Sequence, residues 1–90
     1  MNIYIDILKE RSIDWLKASC YGGTYMHFDE LPKIGDIIPH IDIVSQFVKN
    51  NPDLKDVPEG SFEVLCEPFE INSNNPFGCS HKIMVCSTEL

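Results

Sequence analysis

The sequence predicts an α+β fold: a small antiparallel β-sheet or open barrel of about five to six strands, with one short helix against it. Three observations carry this expectation. Ile3, Ile5 and Ile7 alternate with Asn2, Tyr4 and Asp6, the period of a strand with one buried face. Ile83 to Cys86 is an unbroken apolar run, which suits a central strand buried on both faces. Ile43, Val44, Phe47 and Val48 follow the spacing of one helix face.

The elements follow in chain order. Met1 to Leu8 reads as the first strand, and Lys9 to Ser12 as a charged turn. A second strand is expected from about Ile13 to Tyr21 and a third from Thr24 to Phe28. Gly22-Gly23 between them is a two-residue hairpin signal, because both turn positions can take positive φ. That hairpin would put Trp15, Tyr21, Met26 and Phe28 on one face and Leu16, Ala18, Cys20, Tyr25 and His27 on the other.

Leu31 to Asp36 resembles a turn common in small β domains, and Ile37-Ile38 reads as a short strand ended by Pro39. Asp42 is the expected N-cap of the helix, and Asn50-Asn51-Pro52 its stop. The competing assignment is a strand through Ile41 and Ile43. Asp53 to Gly60 is a polar connection. Ser61 to Ile71 reads as a strand in which Pro68 marks a bulge or an edge position. Asn72 to Ser80 is a turn-rich loop, and His81 to Ser87 the last strand. A chain of 90 residues is expected to form a single domain, residues 1–90.

Composition narrows the functional classes. The formal net charge is −7 and Arg11 is the one arginine, so the clustered cations that bind a phosphate backbone are missing. Nucleic acid and anionic membrane surfaces are therefore not expected partners. No run approaches the roughly 20 apolar residues of a membrane span, and the alternating start is unlike a secretion signal. The expected location is the cytoplasm, with Cys20, Cys66, Cys79 and Cys86 reduced.

Catalytic signals are weak. No Cys-x-x-Cys pair, nucleophile elbow, His-Glu-x-x-His or Gly-rich phosphate loop occurs. Cys79-Ser80-His81 can be imagined as two metal ligands, joined by Cys86 or His27, but cysteines inside strands are more often small buried hydrophobes. The expectation is no enzyme, no metal and no cofactor.

Acidic residues are unevenly placed. Asp53, Asp56, Glu59, Glu63, Glu67 and Glu70 stand against one base, Lys55, and Asp29, Glu30, Asp36 and Asp42 cluster around Lys33. Such runs are often solvated faces, but they also suit a partner with a basic surface. The candidate partner-binding residues are Asp53, Asp56, Glu59 and Glu63, with the aromatics Tyr25 and Phe77. Trp15 is the largest core candidate. Apolar density around the expected hairpin suggests a two-fold homodimer.

The functional expectation is a small acidic, non-enzymatic protein-binding module. The scarcity of alanine and arginine among many Ile, Asn and Lys reflects AT-rich codons, which suggests a phage-encoded inhibitor of a bacterial defence complex as one setting. The alternative is a domain that sequesters a small molecule or nucleotide between subunits. Its aromatics would stack on a base, with Arg11, Lys17 and Lys33 near phosphates.

Overall fold

The computed structural model describes residues 1–11, 19–50, 59–72, 74–76 and 78–89. Six strands and one helix occur among them: β1 (Asn2–Leu8), β2 (Cys20–His27), β3 (Ile37–Ile38), α1 (His40–Asn50), β4 (Phe62–Val64), β5 (Phe69–Glu70) and β6 (His81–Ser87). The strands form one open sheet in the order β2-β1-β6-β4-β3, with β5 also paired to β6. The fold is α+β, as the sequence predicts, and the sheet is not closed into a barrel.

It is also not purely antiparallel. β1 and β6 run parallel at the centre, with Ile5 opposite Ile83 and Ile7 opposite Val85. All other pairs are antiparallel. β6 thus lies between β1 and β4, and Ile83, Val85 and Cys86 are wholly buried there. Its apolar run reflects this position, covered on both faces.

The alternation in β1 sorts the sheet's two faces. Ile3, Ile5 and Ile7 join Ile83, Val85, Phe62, Val64 and Ile38 on the face that packs against Ile43 and Phe47 of α1. Tyr21, Met26, Phe28 and Val44 close the margins of this core. Burying each large aliphatic side chain contributes about 1.5–3 kcal/mol. The opposite face holds a smaller cluster of Leu8, Cys66 and Met84, with Leu65 at its margin.

The expected hairpin at Gly22-Gly23 does not form. β2 runs straight through both glycines and pairs with β1, placing Gly22 opposite Ile7 and Gly23 opposite Asp6. The glycines serve other needs. Gly22 takes φ 135° beside a register shift at Ile7/Leu8, where the strand bulges. A Cβ on Gly23 would lie 2.5 Å from Tyr4 Cζ and 2.8 Å from Cε1, so a glycine is needed for the tyrosine to lie across the strand. Tyr21, Met26 and Phe28, expected on one face, do share one and pack into the helix-side core, although a continuous strand rather than a hairpin places them there. Residues 12–18, which include most of the expected second strand with Trp15 and Lys17, lie outside the described residues.

The turn before β3 is as expected in place. Asp36 N–H donates to the Lys33 carbonyl at 3.0 Å, Lys33 N–H donates to Asp36 Oδ2 at 2.8 Å, and Gly35 has φ 89°. Positive φ at the third turn position is what a type II turn requires. The helix begins at His40, three residues before the Ile43 start that an N-cap at Asp42 implies, so Asp42 lies inside the first turn. The Asp42 N–H donates to the Pro39 carbonyl at 3.1 Å. A carboxylate in the first turn still complements the helix dipole. Ile43 and Phe47 are fully buried, whereas Val48 is 45% exposed, because the sheet covers a stripe narrower than the apolar spacing suggests.

The expected strand Ser61 to Ile71 is split. β4 pairs with Val85–Ser87 and β5 with His81–Lys82, so the 64–69 segment spends two more residues than β6 does between the same rungs. Pro68 lies in that bulge. The following loop is closed by Asn75, whose side chain accepts from Cys79 N–H at 2.9 Å and donates to the carbonyls of Asn72 and Cys79, each at 2.8 Å.

Candidate functional site

A groove of about 550 Å³ lies at one end of the sheet. β2 delivers Met26 and His27 to one wall, with Phe28 just beyond its end. The connection Asp29 to Lys33 crosses to the other edge of the sheet, and Asp36 to Ile38, with Pro39 and Asp42, forms the far wall. Asp29, Glu30, Leu31, Lys33, Asp36, Ile37 and Asp42 are all exposed. Four carboxylates therefore face one lysine and His27, whose Nε2 lies 3.7 Å from Asp29 Oδ1.

The same stretch of chain carries most of the exposed apolar surface. Of seven large hydrophobic side chains exposed among the described residues, five fall between Leu31 and Val48: Leu31, Ile34, Ile37, Ile41 and Val48. Ile37 and Ile41 are 54% and 68% exposed. Scattered exposed aliphatics are ordinary, but their concentration beside a carboxylate-rich groove is a feature of docking surfaces.

The residues singled out from the sequence are dispersed. Asp53, Asp56 and Phe77 lie outside the described residues. Glu59 is exposed and Glu63 half-buried, and neither lines the groove. Glu63 Oε1 is 3.0 Å from Arg11 Nη2, so its charge is already matched within the chain. Tyr25 is half-buried on β2, opposite Tyr4 and on the sheet face away from the helix. The groove acids were visible as a cluster around Lys33, but nothing local says that they share a concavity with the end of β2.

The sheet face away from α1 has its own polar cluster. Lys82 Nζ is 2.7 Å from Asp6 Oδ2 and 5.7 Å from the centre of the Tyr4 ring. Burial, reinforced by the Asp6 carboxylate, pushes the Tyr4 hydroxyl pKa above its ordinary value. A partly buried ion pair with a ring beside it organises this sheet face.

All four cysteines are described, and none is in a disulfide. Cys66, Cys79 and Cys86 are buried, and burial raises the pKa of each thiol. Cys79, beside the turn-rich loop, is wholly buried, because Asn75 folds the loop over it. Cys20 is the exposed thiol, at the start of β2 rather than inside a covered strand. Its pKa is also raised, by desolvation first and by Asp6 second. Among the described residues no three His, Cys, Asp or Glu side chains converge as a cation would need. His81 instead meets Ser80 Oγ through Nδ1 at 2.8 Å.

Thiol chemistry gives a direct check. Cys20 should react first with a thiol reagent, and Cys66, Cys79 and Cys86 only on unfolding. Because the thiolate is the nucleophile and the Cys20 pKa is raised, its labelling rate should still be climbing as pH passes 9.0, the ordinary thiol value. Fast labelling of a second cysteine at neutral pH would contradict the burial pattern.

No helix among the described residues is long and apolar enough to cross a membrane. Compared with known proteins, the chain matches no family model, no curated protein and no solved structure. What the surface can do is therefore argued from its own chemistry.

Proposed function

We propose that this protein is a non-enzymatic binding module that docks a protein partner with a basic surface, and that it works in the cytoplasm. The observation that carries this reading is the groove at Met26 to Asp42, where Asp29, Glu30, Asp36 and Asp42 flank exposed Leu31 and Ile37. Apolar side chains supply area that a partner can desolvate, and the carboxylates favour cationic partners and repel acidic ones. The net charge of −7 extends that field over the molecule and speeds encounter with a basic surface. An inhibitor role, including that of a phage protein acting on a bacterial defence complex, is compatible with such a module. A nucleotide-sequestering role has less support, since Lys33 stands among four carboxylates in the groove.

Two sets of charge reversals test the reading. Changing Asp29, Glu30 and Asp42 to lysine should slow association with a co-purified partner about tenfold or more at low salt, with a smaller effect at high salt. The set Asp53, Asp56 and Glu59 to lysine probes the second acidic stretch in the same assay. If neither set changes the rate or its salt dependence, the acids only solvate the surface and the reading fails.

A further inference from the structure

We infer that the groove receives an extended segment of the partner in which cationic and apolar residues alternate, laid along the outer edge of β3. This inference rests on the binding reading above and specifies the form of the partner.

The backbone of β3 is the starting point. In an antiparallel pair, opposed residues alternate between those that exchange hydrogen bonds and those that do not. Val64 N–H donates to the Asp36 carbonyl at 2.9 Å, and Ile38 is opposite Phe62, so Ile37, opposite Glu63, is the residue whose N–H and C=O point away from β4. β3 is the last strand on its side of the sheet, and neither backbone group of Ile37 has a partner among the described residues. The Ile37 side chain is 54% exposed and lines the groove. An added strand can therefore gain a pair of main-chain hydrogen bonds at Ile37, the mode by which many domains take extended peptides.

The edge is short. The turn at Lys33 to Asp36 precedes it and Pro39 follows it, which limits further pairing. Side chains must supply the remaining affinity, and here the groove discriminates. Successive residues of a strand point to opposite sides, so alternate residues can turn apolar groups toward Leu31 and Ile37 while the others reach the carboxylates. The four groove carboxylates would repel an acidic segment. A uniformly cationic one would leave Leu31 and Ile37 uncovered.

The test uses the full chain, isotope-labelled, with three synthetic peptides of equal length: alternating lysine and valine, all lysine, and alternating glutamate and valine. The first should bind, with amide shift changes concentrated at Leu31 and from Gly35 to Ile38, and with slowed exchange of the Ile37 amide. Glu30→Lys with Asp42→Lys should weaken it about tenfold, and Ile37→Ser should weaken it while leaving the fold intact. The all-lysine peptide should bind more weakly and leave Ile37 exchange unchanged, and the acidic peptide should not bind.

Equal binding of the two cationic peptides, or shifts centred on Tyr4 and Tyr25, would overturn the inference and leave the basic-partner reading standing. If no peptide binds while the intact partner still depends on Asp29, Glu30 and Asp42, the inference alone falls. If the partner is also indifferent to those acids, both fall.

Discussion

Replacing Phe62 by alanine is expected to lower the unfolding free energy by about 3–5 kcal/mol, the range for deleting a buried phenylalanine. Phe62 is wholly buried where the sheet and the start of the helix meet. It is opposite Ser87 of β6 and Ile38 of β3, so the same residue holds the short edge strand to the centre. Its ring stacks on His40 at 5.9 Å, and His40 Nδ1 contacts the Gly60 carbonyl at 2.9 Å. A cavity there would loosen β3, β4 and the helix start together. In a domain of this size each kcal/mol shifts the melting temperature by roughly 4–8 °C. Phe69→Ala is the control, because that ring is 40% exposed and should cost far less. Equal losses at the two positions in chemical denaturation would contradict the assigned core.

Gly23→Ala is expected to cost about 1–3 kcal/mol, the usual range for forcing extra volume into an occupied site. The added Cβ would fall on the Tyr4 ring, whose hydroxyl, Cζ and Cε1 already fill that space. The ring is further constrained by Lys82 above it, which is itself held by Asp6. Combining Gly23→Ala with Tyr4→Ala should remove most of the penalty, so a double-mutant cycle reads the contact directly. Gly23→Asn separates the observed strand from the hairpin that the sequence suggests. A hairpin turn accepts asparagine readily, because it needs positive φ there. The strand does not take positive φ at Gly23, and asparagine would meet the same ring. Full stability of Gly23→Asn would restore the hairpin.

These two positions mark where local sequence was and was not sufficient. A turn dipeptide and a strand glycine look the same along the chain, because the demand for a missing Cβ comes from Tyr4, nineteen residues earlier. The helix was legible because Ile43 and Phe47 repeat at helical spacing, but its start was displaced by Pro39 and its face trimmed by the width of the sheet beneath it.

The groove was half legible. Asp29, Glu30, Asp36 and Asp42 were visible as a cluster, and the turn that presents them was visible in Leu31 to Asp36. The exposure of Leu31 and Ile37 was not, since an apolar residue beside a turn is as readily buried as exposed until the neighbouring strands are placed.

By itself the sequence determined the fold class, the C-terminal end of β1, both ends of β6, the short strand before Pro39, the helix and the acidic character of the chain. Those features rest on periodicity, turn chemistry and composition, which act within a few residues. Only the tertiary structure decided that β1 and β6 run parallel at the centre, that β2 passes through its glycines, that Cys79 is buried and Cys20 exposed, and that the carboxylates around Lys33 share a groove with the end of β2. Each of these depends on which distant segments come together. That choice is set by the joint burial of two sheet faces, which no single segment specifies.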